Sequence, residues 1–449
     1  MSTSMLSTAE LYSKFQECTG VSTDTRKITA NCLFVALKGD NFNGNQFAQQ
    51  ALASGARYAL VDDPAVASQE PRCLLVADSL LALQDLARHH RQTLTIPVIG
   101  LTGTNGKTTT KELIAAVLSK NYRTYATVGN LNNHIGVPLT VLSISNNGSN
   151  EPYEMAVVEM GANHQKEIEL LCSIAQPTHG LITNVGKAHL EGFGGVEGVR
   201  KGKGELYDYL AQHGRTVFIN SRDKVLMAMY RERLKSLRSE TVFAEAIFYP
   251  AIDSTEQPIE LIQESPVVIY RDEAGQEITT HLPGQYNFEN MLSALTIGRY
   301  FGVSREEANH AIAEYNPTNN RSQVIHKGTN TILLDAYNAN PSSMAAAIRQ
   351  FAAMPARHKV VILGDMYELG QESEAEHAAL GKLVAESRFD LVILAGKDMK
   401  YALGWLPKAY YIPDKFSLHN WLMDHPMTDT HILVKGSRGM GLESVLPFL

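Results

Sequence analysis

Ile96-Pro97-Val98-Ile99-Gly100-Leu101-Thr102-Gly103-Thr104-Asn105-Gly106-Lys107-Thr108-Thr109-Thr110 is the stretch that decides the fold. An apolar run ends at Leu101, small polar residues follow, and Leu113, Ile114, Val117 and Leu118 then recur at helical spacing. Strand, glycine turn and helix in that order make a phosphate loop. Small residues let backbone N–H groups approach phosphate oxygens, and the helix N-terminus favours an anion. Gly103, Thr104, Asn105, Gly106, Lys107, Thr108 and Thr109 are therefore the expected ATP-binding residues. Lys107 would reach the β- and γ-phosphates, and the Thr108 hydroxyl would face Mg²⁺. The general pattern asks for glycine at position 101, where this chain has leucine; Gly100 and Gly103 stand on either side. The bland alternative is a glycine-rich turn with a chance Gly-Lys-Thr, which the order of the elements disfavours.

Outward from this loop the chain divides into three blocks, as expected for 449 residues at roughly 150 residues per domain. The predicted fold class is α/β with three domains. Residues 1–95 form a small α/β domain, with short strands in Cys32–Leu37, Tyr58–Val61 and Cys73–Val76 and a helix over Phe47–Ala53. Residues 96–320 form a central, mostly parallel sheet, with further strands at Ala156–Glu159, Leu181–Asn184 and Val217–Ile219 and a helix over Asn287–Phe301. Residues 321–449 form a smaller, Rossmann-like open sheet, with strands at Ile332–Asp335, Val360–Leu363, Leu391–Leu394 and His431–Val434. Gly192, Gly194, Gly195, Gly198, Gly202 and Gly204 crowd the stretch after His189, and this density predicts a loop held close to a ligand rather than a regular element.

Net charge is −7, so no basic surface dominates and a nucleic-acid partner is not expected. The cysteines Cys18, Cys32, Cys73 and Cys172 lie far apart and suggest neither disulfides nor a zinc site. The first ten residues lack the apolar core of a signal peptide, and no apolar run is long enough to span a membrane. Asn147-Gly148-Ser149 matches a glycosylation sequon but reads as a turn without a secretion signal. A monomeric cytoplasmic protein acting on small molecules, without membrane insertion, is the expectation.

Several residues outside the loop are candidates on chemical grounds. Glu159 ends an apolar strand, on the ligand side of a parallel sheet, and offers Mg²⁺ an oxygen. His189 stands out among 15 histidines only by its place beyond a strand end. Arg200, Lys201 and Lys203 read as a basic patch for phosphates. Asn287 and Asn290 share a helix face, although Asn287 also suits a helix cap. Asp335 at a strand end suits ribose hydroxyls, and Arg321 at a block boundary could meet nucleotide phosphates. Lys435 and Arg438 suit a carboxylate, or simply the surface.

Gly103-Thr104-Asn105-Gly106-Lys107-Thr108-Thr109 after a strand resembles the signature of the Mur ligase superfamily, enzymes that add amino acids or peptides to the UDP-N-acetylmuramoyl precursor of peptidoglycan. The segment from His189 to Glu205 resembles the part of these enzymes that carries a carbamylated lysine. The resemblance puts the carbamate on Lys203, with Lys201 as the alternative. It implies two Mg²⁺ ions held by Thr108, Glu159, His189 and the modified Lys203, so Lys107, Lys203 and His189 form the implied catalytic set. It also implies adenine contacts at Asn287 and Asn290. Asn130-Leu131-Asn132-Asn133 resembles the loop that meets the UDP-muramoyl peptide, with Asn130 and Asn133 as its contacts. Ser22-Thr23-Asp24-Thr25-Arg26-Lys27 resembles the UDP-binding domain, with Thr25 and Arg26 at the substrate. Asp335-Ala336-Tyr337-Asn338-Ala339-Asn340-Pro341 resembles the branch that adds D-alanyl-D-alanine to UDP-N-acetylmuramoyl-tripeptide, with Asn338, Lys435 and Arg438 toward the dipeptide. The implied reaction forms an acyl phosphate and releases ADP and phosphate. A related ligase with another acceptor and a non-ligase ATPase or kinase are the rivals. Whether the tripeptide ends in lysine or in a diamino acid stays open.

Overall fold

The computed structural model describes residues 4–144, 151–236, 243–251, 258–318 and 321–449; Asn147-Gly148-Ser149 lies outside the described residues. Strands β1 (Val21–Ser22), β2 (Leu33–Val35), β3 (Tyr58–Val61) and β4 (Cys73–Leu75) form a parallel sheet in chain order. The helix Ser79–Thr93 follows and packs on the central domain through the helices Gly136–Leu142 and Glu167–Ala175. Arg91 on this helix is buried and donates to the carbonyls of Ala175 (2.9 Å), Gln176 (3.1 Å) and Leu94 (2.8 Å). It thus satisfies the open carbonyl end of Glu167–Ala175. Arg91→Ala is expected to destabilise the chain by about 2–3 kcal/mol, because buried acceptors lose a charged donor. A urea-unfolding midpoint checks this.

The central sheet comprises β5 (Val98–Thr102), β6 (Thr124–Ala126), β7 (Met155–Glu159), β8 (His179–Ile182), β9 (Thr216–Asn220) and β10 (Ala246–Tyr249). Its order is β10-β9-β8-β5-β7-β6, all parallel. Every residue of β5, β7 and β9 is buried, which their continuous apolar runs require in a sheet covered on both faces. The chain passes from β5 to one side through β6 and β7, then crosses to the other through β8. A crevice therefore opens beyond the carboxyl end of β5, at the point where the direction reverses. An antiparallel sheet of β11 (Glu260–Gln263), β12 (Ile269–Arg271) and β13 (Glu277–Thr279) precedes the helix Gln285–Tyr300.

The last sheet contains β14 (Gln323–Lys327), β15 (Asn330–Asp335), β16 (Lys359–Gly364), β17 (Leu391–Ala395), β18 (Tyr410–Ile412) and β19 (His431–Lys435). Its order is β14-β15-β19-β16-β17-β18, with β14 antiparallel to β15 and the other pairs parallel. Asp335 and Lys435 are register partners at neighbouring strand ends. The α/β class and the Rossmann-like sheet expected from the sequence are what the structure has.

The glycine-rich stretch after His189 is not a loop. Leu190–Phe193 and Val196–Gln212 are helical. Gly198 and Gly202 serve close packing: a Cβ on Gly198 would lie 1.8 Å from the Phe193 carbonyl oxygen, and one on Gly202 would lie 2.4 Å from the Phe193 ring, while Gly194 and Gly195 make the positive-φ turn between the two helices. No helix among the described residues is long and apolar enough to cross a membrane.

Candidate active site

The crevice beyond β5 is a cleft of about 750 Å³ lined by the phosphate loop from Thr104 to Thr110, the 130–134 loop, Thr183 to Gly186 after β8, and residues of the third domain. Gly103 has φ +151°, and a Cβ there would lie 2.0 Å from the Thr183 hydroxyl, so the turn needs glycine. The turn is clamped from β8. Asn105 N donates to Asn184 Oδ1 at 3.0 Å, and Thr183 Oγ1 and Asn184 Nδ2 donate to the Asn105 carbonyl at 2.7 and 2.9 Å. Gly186 N donates to Thr104 Oγ1 at 2.9 Å. Lys107 folds back over the turn, donating to the carbonyls of Gly103 (2.7 Å) and Thr104 (3.0 Å). Desolvation brings its ammonium down to about 8, against the pull of Glu159.

Glu159 is 1% exposed. Its Oε1 accepts from Asn132 Nδ2 at 2.8 Å and from Thr108 Oγ1 at 3.2 Å, while Oε2 is buried without a partner among the described residues. Its backbone N–H donates to Thr127 Oγ1 (3.0 Å), and Lys111 Nζ holds the Thr127 carbonyl (2.7 Å). An open buried carboxylate oxygen beside a hydroxyl fits Mg²⁺, a hard ion that takes one or two carboxylates plus phosphate and water. Among the described residues no three His, Cys, Asp or Glu side chains gather as a metal cluster. His189 lines the cleft but its Nδ1 pairs with Glu368 of the third domain, and this bond holds the Glu368 carboxyl below its ordinary value.

Lys203 is 1% exposed, whereas Lys201 is exposed. Lys203 Nζ donates to the Ala162 carbonyl at 3.1 Å and lies 5.2 Å from the centre of the Phe193 ring. Burial, helped by the Lys107 charge, drives its ammonium well below the ordinary lysine range. The basic patch is thereby divided: Arg200 turns outward to Glu232 and Glu197, while Lys203 points inward.

Asn287 and Asn290 are buried and bond to each other at 3.2 Å. Asn287 donates to the Pro283 carbonyl (2.7 Å) and is not the helix cap, which falls at Gly284. Both line the cleft, as do Arg321, Asp335 and Asn338. Arg321 stacks on Tyr337, 3.6 Å from the ring centre, and Arg438 lies 4.5 Å from the same centre. Lys435 is buried, and its ammonium bonds the Asp335 carboxylate and the Asn338 carbonyl. The surface reading of Lys435 is thus replaced by that of a strut between strand ends. In the 130–134 loop, Asn133 Oδ1 accepts from Ile135 N and Gly136 N, opening the next helix, and Asn130 faces the cleft. Thr25 and Arg26 do not line this cleft; Arg26 is exposed and forms a two-bond pair with Asp24. The sequence reading gave no role to Asn132, Thr183 or Asn184, whose partners only the fold reveals.

The third domain docks directly on the nucleotide loop. Asn340 Nδ2 donates to Asn105 Oδ1 (2.8 Å), Lys187 N donates to Ser342 Oγ (2.8 Å), and Lys187 pairs with Glu376.

Known proteins resemble this chain in sequence and in fold. The model of the Mur ligase family catalytic domain matches residues 17–91, the Mur ligase middle domain 101–298, and the Mur ligase glutamate ligase domain 320–438. The UDP-N-acetylmuramoyl-tripeptide–D-alanyl-D-alanine ligase of Escherichia coli (strain K12) is 36% identical, over 95% of this chain and 92% of its own. The ligase of the same name from Bacillus subtilis (strain 168) is 34% identical over the same shares. A crystal structure of MurF from Acinetobacter baumannii superposes with a TM-score of 0.81 at 29% identity, over 100% of this chain and 99% of that one. MurF of Thermotoga maritima in complex with ADP does so with 0.78 at 26%, over 96% of each. The chain belongs to the Mur ligase family.

Proposed function

We propose that this chain is the ATP-dependent ligase that joins D-alanyl-D-alanine to UDP-N-acetylmuramoyl-tripeptide in peptidoglycan precursor synthesis. The observation that carries the reading is the convergence on one cleft of the clamped phosphate loop, the open Glu159 oxygen and the Asp335–Asn340 segment of the third domain. Near-full-length likeness to ligases of that name supports the acceptor.

The geometry of the cleft supports the following residue roles. The N–H groups of the 103–108 turn and Lys107 hold the ATP phosphates. Asn287 and Asn290 flank the adenine, Asp335 meets the ribose, and Arg321 meets a phosphate. Thr108 and Glu159 would hold Mg²⁺, which would supply charge neutralisation when bound. A second ion would draw on Glu159, His189 and a carbamate on Lys203; burial favours the uncharged amine, the form that takes up CO₂. His189 must then leave Glu368. The tripeptide carboxylate, guided by Asn130 and Asn133, attacks the γ-phosphoryl group, giving ADP and an acyl phosphate. The dipeptide amine attacks that carbonyl, forming the amide and releasing phosphate and a proton. Arg438, over the Tyr337 ring, and Asn338, in the cleft lining, suit the dipeptide, and Lys435 braces Asp335. Thr25 and Arg26, in the first domain, would meet the distant UDP part. The domains fall at 1–95, 96–320 and 321–449, and a cytoplasmic monomer is part of the same reading. The test is ADP formation with UDP-N-acetylmuramoyl-tripeptide, with and without D-alanyl-D-alanine. Turnover that requires both supports the ligase; turnover supported equally by a single amino acid assigns another acceptor.

A further inference from the structure

Asn132 sits at one end of the shortest side-chain bond to Glu159, and the known or proposed chemistry gives it no task. Its amide nitrogen donates to Oε1 at 2.8 Å. Thr108 reaches the same oxygen at 3.2 Å. Both donors therefore gather on one oxygen, and the other is left buried and open. The two oxygens of a carboxylate are equivalent, but its last torsion lies in a broad well, so something must fix the plane of the group for one oxygen to stay turned to the cleft. A neutral amide does this without cancelling the negative charge, as a lysine or arginine in its place would.

Asn132 is itself held. Its carbonyl accepts from Gly161 N at 2.7 Å, and its N–H donates to the Asn130 carbonyl at 2.8 Å. A Cβ on Gly161 would lie 3.0 Å from the Asn132 amide group, so the backbone after β7 makes room for this side chain. The residue belongs to the 130–134 loop that lines the cleft.

We infer that Asn132 is a positioning residue: it orients Glu159 so that Oε2 is presented to a divalent cation, and it ties that orientation to the 130–134 loop. The inference rests on the reading of Glu159 as a cation ligand. A group that orients a metal-binding carboxylate contributes about 10- to 100-fold to metal affinity.

The test is Mn²⁺ binding to the full chain with ADP, read by electron paramagnetic resonance, beside the KM for Mg²⁺ and the KM for ATP at saturating Mg²⁺. Asn132→Leu keeps the volume and removes the donor. It is expected to weaken Mn²⁺ binding about tenfold or more and to raise the Mg²⁺ KM in parallel, with the ATP KM within twofold. A purely structural role would not separate the two constants. Gly161→Ala, which crowds Asn132 without touching Glu159, is expected to move Mn²⁺ affinity in the same direction by a smaller factor, and it carries the test if Asn132→Leu does not fold. Glu159→Gln sets the floor. If Glu159→Gln weakens Mn²⁺ binding while both other variants bind as the parent does, the role of Asn132 is overturned alone. If Glu159→Gln binds Mn²⁺ unchanged, the cation reading falls with it.

Discussion

Lys107→Met is expected to slow ADP formation about a thousandfold and to leave the fold intact. The ammonium is already preorganised, bonded to the carbonyls of Gly103 and Thr104 at the mouth of the turn. When phosphate arrives it exchanges two carbonyl dipoles for full negative charge, so its attraction grows as the transferred group develops charge. Met keeps the packing of the stem and loses only the cation. Desolvation disfavours the charge here, so relief of that penalty offsets the loss of the two carbonyl bonds and the thermal midpoint should move little. Steady-state kcat with a melting curve checks both. A rate within tenfold of the parent would remove Lys107 from phosphoryl transfer.

The second large effect is expected at Lys203. Lys203→Ala should lose activity about a hundredfold or more and regain part of it with added short carboxylic acids, whereas Lys201→Ala should stay near the parent rate. The reason is spatial. Lys203 is buried and its nitrogen has one carbonyl, that of Ala162, as hydrogen-bond partner. Truncation leaves a hole next to the cleft that a small carboxylate can enter, replacing the oxygens of a carbamate. Lys201 is exposed and has no such neighbourhood. Full activity of Lys203→Ala would reject the carbamate. Loss without any rescue, together with a lowered melting point, would mark a packing role instead.

The parts of this protein that were legible in the sequence are those whose causes are local. A strand, a turn of small residues and a helix are adjacent in the chain, so the phosphate loop could be read directly. Glu159 could be placed because the end of an apolar strand fixes which side of a parallel sheet it occupies. The helix Val196–Gln212 is hidden in the sequence because glycine density has two physical meanings, a flexible turn or a closely approached helix. Only Phe193, folded back on Gly198 and Gly202, decides between them. Lys435 looked like surface charge because its partner Asp335 lies 100 residues earlier and meets it only through strand register. The roles of Asn132 and Asn184 are illegible for the same reason, since an asparagine in a turn carries no sign of what its amide will touch.

The bond from Asn340 to Asn105 has a thermodynamic consequence. The same turn that receives the phosphates also receives the third domain, so the two events share one free energy. If the ordered turn favours docking, docking favours the nucleotide by an equal factor. A small molecule wedged between Asn340 and Asn105 would therefore act as an antagonist of nucleotide binding while never entering the place where phosphate sits.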